Sequence, residues 1–336
     1  MKILLDCQMP FMLAHGGAQI QIEQTKAALE KIGVNVEYLR WWDATQTGDV
    51  LHHFARIPTT LLRLAQAKGM KVVIADLLTE QGSRPRSRLM LQKWVSRIIE
   101  RTLPSSLVAS FNWECYRQSD ACLALTSYEA QLMNYMFGAP PEKTHVVPNG
   151  VEEVFLQSRP ATRGQWLVCT ATITERKRVV ELAEAAVLAQ TPLWVVGRAY
   201  SDSDPYAKRF LQLARENPKI LRFEGAITDR SKMAEVYREA RGFVLLSSME
   251  SLSLSALEAA ACECPLLLSD LPWAKTVFGE SVSYCPITTA TAQTASAMRR
   301  FYDAAPKLKP PAKPLAWTDV AHQLKTIYES LLKTSR

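Results

Sequence analysis

The sequence predicts an α/β protein made of two Rossmann-like domains, and three observations lead to that prediction. Strand-like and helix-like segments alternate through both halves of the chain, which is typical of parallel sheets covered by helices. A sharp Pro148-Asn149-Gly150 turn and a polar linker at 157–164 separate the halves. Residues 242–269 show one strand, a short polar loop, a helix and a second strand, which is the unit of a parallel sheet. We expect domains at 1–157 and 164–310, followed by a C-terminal helix within 315–336.

The first half contains six apolar runs of strand length, separated by segments of helical periodicity. The runs predict strands at 3–5, 36–39, 50–54, 72–75, 122–125 and 146–147. Helices are expected near 18–32, 57–68, 86–102 and 127–137. Because strand-helix-strand crossovers are right-handed, these elements should form one parallel sheet with helices on both faces.

The second half restarts the same alternation. Strands are predicted at 166–169, 193–196, 221–223, 243–246, 266–268 and 282–284, and helices near 178–189, 205–216, 230–240, 254–263 and 288–304. After a stretch rich in Pro and Lys at 306–314, an amphipathic helix is expected at 317–332.

Composition indicates an ordinary globular protein with an anionic partner. Hydrophobic residues make up 48% of the chain and charged residues 22%, and no apolar run approaches the ~20 residues that span a bilayer. The first apolar run is too short for a signal peptide, so a cytoplasmic protein is expected. The net charge of +7 favours nucleic acid, a lipid surface or a phosphorylated small molecule. No nucleic-acid reader motif is present, so we expect no nucleic-acid partner.

The seven cysteines include no CxxC pair and lie mostly in apolar segments, which predicts buried thiols. Cys262 and Cys264 would need further ligands to hold a metal, and no histidine lies near them in sequence. We therefore expect no metal site.

Two glutamates follow the strand predicted at 243–246. Glu250 lies in the loop after this strand, and Glu258 lies in the next helix. Open α/β sheets bind ligands at the carboxyl ends of their strands, so both carboxylates are candidates for a binding site. Ser255 and Glu258 also fit a capping box, in which Glu258 would only stabilise its own helix. Glu250 has no helix to cap.

The segment 84–101 carries six basic residues and one acidic residue. Trp94, Val95, Ile98 and Ile99 repeat at helical spacing, so the helix is basic and amphipathic. Two interpretations are open: the apolar stripe packs on the sheet, or it makes a peripheral contact with a membrane.

The pair Glu250 and Glu258, separated by seven residues and followed by an Ala-rich helix, a Pro and a strand, resembles the paired-glutamate motif of retaining glycosyltransferases of family 4. Val147-Pro-Asn-Gly-Val151 with Phe155 is similar to the end of that family's first domain. The resemblance implies the GT-B fold, in which two Rossmann-like domains face each other across a cleft and a C-terminal helix crosses back to the first domain.

The resemblance also implies a nucleoside-diphosphate sugar as donor, bound by the second domain. Lys177 matches the family's diphosphate lysine, but Thr172 stands where the family has Arg, so Arg176 or Arg178 would have to compensate. Glu258 would bind the ribose, and Glu250 the sugar hydroxyls. The other implied donor contacts are the backbone of Ser251, Leu252, Ser253 and Leu254, the base-side turn Gly225, Ala226 and Ile227, and Gly197 with Arg198.

In the first domain, the family has a Gly-Gly-Ala element facing the cleft and a His-Asp pair near the transferred sugar. Here the corresponding residues are Gly16, Gly17 and Asp76, but Asp76 lacks the preceding histidine. His15 is a further cleft candidate.

The implied reaction is metal-independent hexosyl transfer with retention, in which Glu250 and Lys177 are the catalytic residues, the nucleotide-sugar is the donor substrate and no cofactor is required. The acceptor would be a glycan, a polysaccharide precursor or a lipid-linked saccharide. Segment 84–101 is the candidate contact with the inner face of the membrane. Two alternatives stay open: a degenerate protein that binds a nucleotide-sugar or a partner without catalysis, and another GT-B activity such as epimerisation.

Overall fold

Six short parallel strands form the centre of the first half of the chain, as the sequence predicts. The computed structural model describes residues 1–7, 11, 16–159, 161–201, 203–287 and 290–333. The strands pair in the order β2-β1-β3-β4-β5-β6. They are β1 (Lys2–Asp6), β2 (Asn35–Tyr38), β3 (Val50–His53), β4 (Lys71–Ile74), β5 (Ala121–Ala124) and β6 (Thr144–Val146).

Helices connect these strands, and the long ones lie where helical periodicity predicts them. They are α1 (Gly17–Lys31), α2 (Thr59–Ala67), α3 (Thr79–Gly82), α4 (Arg86–Thr102), α5 (Ser105–Ala109), α6 (Cys115–Gln118) and α7 (Ser127–Phe137). Helices α3, α5 and α6 were not predicted, because helices of four or five residues are too short to show a period. The core between the sheet and helices α2, α6 and α7 contains Leu62, Ile74, Tyr116 and Met133.

The second half contains another six-stranded parallel sheet, in the order β12-β11-β10-β7-β8-β9. Its strands are β7 (Leu167–Thr170), β8 (Leu193–Val196), β9 (Leu221–Phe223), β10 (Gly242–Leu245), β11 (Leu266–Ser269) and β12 (Ser283–Cys285). Its helices are α8 (Glu153–Leu156), α9 (Val179–Leu188), α10 (Pro205–Glu216), α11 (Arg230–Glu239), α12 (Leu254–Ala261), α13 (Pro272–Phe278) and α14 (Thr291–Ala304).

The chain divides into two units, Met1–Asn149 with Trp317–Arg336 and Gly150–Ala316. The division falls earlier than the boundary expected at 157. Residues 150–157 belong with the second sheet because Arg238 donates to the carbonyl oxygens of Val154 and Gln157, and Arg230 pairs with Glu152. The last helix, α15 (Trp317–Lys333), packs against α1 in the first unit.

Each sheet has one point at which the strand order reverses. In the first unit it lies between β1 and β3, and in the second between β7 and β10. Loops that leave neighbouring strands in opposite directions open a crevice at such a point, at the carboxyl edge of the sheet. Functional side chains are therefore expected in the loops after β7 and β10.

The apolar stripe of α4 does not pack on the sheet, so that interpretation of segment 84–101 is wrong. Trp94 is 62% exposed, and Val95 and Ile98 are also exposed. Within the described residues of α4, only Leu89 is buried. In the described part of the chain, no helix combines the length and hydrophobicity needed to cross a membrane.

Candidate functional site

The loops after β7 and β10 meet at the reversal point of the second sheet. A 3-10 turn, Glu175–Lys177, follows β7 and leads into α9. The backbone N–H of Ser248, in the loop after β10, donates to the carbonyl oxygen of Arg176 at 2.8 Å. This bond fixes the basic turn beside the loop that carries Glu250.

Lys177, Arg176 and Glu250 form one cluster. The Lys177 ammonium makes a short ion pair with Oε1 of Glu250. Nη1 of Arg176 lies 3.3 Å from the same oxygen and donates to the Met249 carbonyl oxygen at 2.9 Å. Arg176 is thus a second cation beside Lys177, although Thr172 replaces the arginine that the resembled family has.

The Glu250 carboxyl group is held in its charged form. The residue is 7% exposed, and this burial favours the neutral acid. Lys177 and Arg176 outweigh the burial and lower the pKa of Glu250 below its usual value of 4.5. The loop therefore presents a carboxylate and two cations at one point.

Glu258 belongs to a separate cluster around Arg230. Nη2 of Arg230 makes a short ion pair with Glu258, while Nε donates to Glu152 at 2.8 Å. The Tyr237 hydroxyl donates to the other oxygen of Glu258 at 3.2 Å. Burial nevertheless raises the pKa of Glu258, against the opposing effects of Arg230 and Tyr237. The guanidinium of Arg230 also lies 4.7 Å from the centre of the Phe155 ring.

The capping-box interpretation of Glu258 is wrong. Ser253, not Ser255, is the N-cap of α12, and its hydroxyl accepts from the backbone N–H of Ala256. Glu258 lies five residues after this cap, beyond the position from which a side chain reaches back to the cap N–H. Its carboxylate instead faces Arg230 and Tyr237.

The remaining predicted donor residues lie in the loops at the same edge of the second sheet. Gly197 and Arg198 follow β8; a Cβ on Gly197 would lie 1.9 Å from the Ala171 carbonyl oxygen, so only glycine allows this close approach. Gly225 follows β9 with φ +85°, which favours glycine. Ala226 is exposed and Ile227 half-buried; Ser251 is half-buried, whereas Leu252, Ser253 and Leu254 are buried. Arg178, with φ 53°, directly precedes α9.

In the first unit, Asp76 follows β4 and is bonded to two groups that the sequence analysis did not consider. Nε of Arg56 donates to Asp76 at 2.9 Å, and the Tyr116 hydroxyl makes a short hydrogen bond to the same oxygen. Gly16 and Gly17 begin α1, while His15 lies outside the described residues.

A small cavity of about 20 Å³ lies beside Asp76 in the first unit. His52 lines it and donates to or accepts from the Tyr328 hydroxyl at 2.7 Å through Nδ1. Burial lowers the pKa of His52 to about 3, so the ring is neutral at physiological pH. Oδ1 of Asn149, at the wall of this cavity, is buried without a hydrogen-bond partner among the described residues.

Arg230, Tyr237 and Arg56 were not predicted as site residues. Arg230 and Tyr237 lie one and a half to two turns apart on α11 and bind Glu258 on α12, a contact that depends on how the two helices pack. Arg56 follows a strand end, at the residue after Ala55, whose φ of +146° is unusual for a residue with a side chain. Position after a parallel strand was the one signal available for Arg56. Among the described residues, no three His, Cys, Asp or Glu side chains form a group that could hold a metal ion.

Two parallel sheets with this strand order and these edge sites define a protein of the GT-B fold. Anabaena Alr3699/HepE, in a crystal structure with UDP, aligns over 99% of both chains with a TM-score of 0.66 and 16% identity. Sucrose-phosphate synthase from Thermosynechococcus elongatus aligns over 99% of this chain and 100% of its own, with a TM-score of 0.67 and 17% identity.

Residues 164–304 match the family model of glycosyl transferases group 1, which covers the whole second sheet. Alpha-galactosylglucosyldiacylglycerol synthase of Streptococcus pneumoniae is 26% identical over 155 residues. That alignment covers 42% of this chain and 41% of the synthase, less than half of either. The comparisons show the GT-B fold and a match of the second sheet to the glycosyl transferases group 1 model.

Proposed function

We propose that the protein is a glycosyltransferase that moves a sugar from a nucleoside diphosphate to a hydroxyl acceptor with retention of configuration. The observation that carries the proposal is the cluster of Lys177, Arg176 and Glu250 at the reversal point of the second sheet. It lies within the residues that match the glycosyl transferases group 1 model. Two cations fixed beside a carboxylate suit a diphosphate attached to a sugar.

In this proposal, the cluster stabilises the leaving diphosphate. The Lys177 ammonium has three N–H donors, so it can hold Glu250 and a phosphate oxygen at the same time. Arg176, whose side chain is 40% exposed, can turn toward a second phosphate oxygen. Each charged hydrogen bond of this kind contributes on the order of 1.5–3 kcal/mol. Glu250 would accept from hydroxyls of the donor sugar.

The reaction breaks the bond between the anomeric carbon and the phosphate oxygen and forms a bond from that carbon to the acceptor oxygen. The acceptor proton passes to the departing phosphate oxygen, so the step requires no separate base, and Lys177 and Arg176 supply the positive charge that a metal would otherwise bring to the diphosphate. Preorganised positive charge is the main catalytic contribution in such a scheme.

Glu258 would bind the ribose hydroxyls. Its carboxylate already accepts from Arg230 and Tyr237, and their bonds fix it for this role. Arg230 is therefore a positioning residue in the proposal. Asp76 and Arg56, at the carboxyl edge of the first sheet, would line the acceptor site with Gly16 and Gly17. The acceptor would be a saccharide or a lipid-linked saccharide, reached in the cytoplasm or at the membrane surface.

A thermal-shift screen of nucleoside diphosphates and nucleotide-sugars tests the donor. Uridine nucleotides come first, because Anabaena HepE, of the same fold, forms a complex with UDP. The proposal expects stabilisation by one nucleotide family, its loss in Glu258→Gln, and slow release of that diphosphate from its sugar, unchanged by EDTA. Arg209→Met, which removes an exposed arginine of α10, is the control.

Absence of stabilisation by every nucleotide would contradict the donor site. Binding without turnover, with every acceptor tried, would favour the degenerate binder instead. The Thr172 substitution is the specific observation that motivates this second candidate. The anomeric configuration of the product, read by NMR coupling constants, decides retention.

A further inference from the structure

The α4 helix exposes an apolar face that nothing in the described part of the chain covers. Met90, Leu91 and Trp94 are each at least 60% exposed, and Val95 and Ile98 are about 40% exposed. We call these five residues the α4 face. Their spacing of three and four residues places them on one side of the helix.

The α4 face lies on the side of the helix opposite to its contact with the first unit. Leu89 is the buried residue of the helix and lies two positions before Leu91, which is about 200° around the helix axis. Other residues on the side of Leu89 make polar contacts: Gln92 accepts from Arg84, just before the helix, and Glu100 pairs with Arg117 of α6 at 3.6 Å. The exposed apolar side chains therefore take no part in attaching α4 to the first unit.

The face is bordered by positive charge. Arg86, Arg97 and Arg101 are exposed, and in the described residues no carboxylate forms an ion pair with them. Lys93 lies over the Tyr135 ring at 3.6 Å, so its charge is held beside the helix as well. The sole acidic residue of α4, Glu100, faces Arg117.

We propose that the α4 face docks the protein on an anionic lipid bilayer. A helix with Leu, Ile and Trp on one side and arginines along its flank lies in the plane of a bilayer interface, where apolar side chains enter the acyl boundary and cations meet anionic headgroups. Trp94 is of the type that concentrates at this boundary. The docking does not depend on the transfer reaction.

Charge complementarity selects this occupant over a second copy of the chain. Two α4 faces packed together would bring Arg97 and Arg101 of both copies close, and like charges in contact oppose association. A bilayer surface with anionic lipid instead supplies opposite charge along the whole helix, so each basic residue near the surface favours binding.

Vesicle co-sedimentation of the full chain tests the proposal. The probes are vesicles of phosphatidylcholine alone and of phosphatidylcholine with phosphatidylglycerol. Binding is expected only with the anionic lipid and is expected to weaken as salt rises. Replacing Leu91, Trp94 and Ile98 together by Ser should reduce binding about a hundredfold, and Arg97→Glu with Arg101→Glu about tenfold or more.

The controls make the same changes on other exposed surfaces. Leu61→Ser with Leu64→Ser removes exposed apolar side chains from α2, and Arg215→Glu with Lys219→Glu makes the same change of net charge in the second unit. Both should bind as the wild type does. The proposal is overturned if anionic vesicles do not sediment the protein or if the α4 variants bind normally. Equal loss in the controls, or a dimer that the triple α4 variant abolishes, would also overturn it.

Discussion

Replacing Arg230 by Met should strongly destabilise the second unit, because it leaves a buried carboxylate without its cation. The Glu258 side chain is 6% exposed, whereas that of Glu152, the other partner, is 24% exposed. Of the two hydrogen bonds that Glu258 accepts in this cluster, the substitution leaves the one from the Tyr237 hydroxyl. Removing one partner of a buried ion pair costs about 3–5 kcal/mol, and the half-exposed pair with Glu152 adds at most about 1 kcal/mol.

This loss corresponds to a fall in melting temperature of roughly 6–24 °C for a unit of this size. The assay is urea unfolding followed by circular dichroism, with Arg209→Met as the control, since Arg209 is 64% exposed and should cost less than about 1 kcal/mol. The decisive comparison adds Glu258→Gln to Arg230→Met. Removing the stranded charge should recover about 2 kcal/mol or more. If the losses of the two single variants simply add, the ion pair does not hold Glu258 and the reasoning is refuted.

Three further predictions concern the two sheet edges. Gly197→Ala should destabilise the second unit by about 1–3 kcal/mol in urea unfolding, because the new Cβ meets the Ala171 carbonyl oxygen and the backbone must shift; an unchanged midpoint would contradict this. The pKa of Glu250 is lowered, since Lys177 and Arg176 outweigh its burial, so its contribution to stability is present above pH 4.5 and lost as pH falls below it. The difference in melting temperature between wild type and Glu250→Gln should therefore stay constant above about pH 5 and shrink as pH falls from about 5 to about 3; a difference that grows as pH falls would contradict the sign. Arg56→Ala should leave nucleotide affinity unchanged and slow transfer to the acceptor, as read from separate titrations of donor and acceptor; weakened nucleotide binding would contradict its proposed place in the acceptor site.

Much of the fold was predictable because most strands are short, largely apolar and bounded by polar turns. The predictions at 193–196 and 221–223 coincide with β8 and β9, and the other strands differ by a residue or two at their ends. A strand buried on both faces must be apolar throughout, so its sequence marks it clearly. Helix α13 was missed, because Pro272 and a length of seven residues conceal any period.

Glu250 could be anticipated because it lies in the loop after a parallel strand, where ligands bind, and Lys177 because it matches the diphosphate lysine of the resembled family. The Glu258 cluster could not. Its cation, Arg230, reaches Glu258 only through the packing of α11 against α12, and no local pattern relates residues 28 positions apart. The orientation of α4 was equally hidden, because an apolar stripe looks the same in sequence whether it faces a core or solvent.

The most direct test of the account is a calorimetric titration of UDP into the wild type and Lys177→Met. The wild type should bind, and Lys177→Met should bind about tenfold to a hundredfold more weakly, as expected for the loss of one charged hydrogen bond to a diphosphate. The control, Arg209→Met, should match the wild type. If UDP and the other nucleoside diphosphates bind wild type and Lys177→Met equally, or bind neither, then the cluster of Lys177, Arg176 and Glu250 is not a donor site.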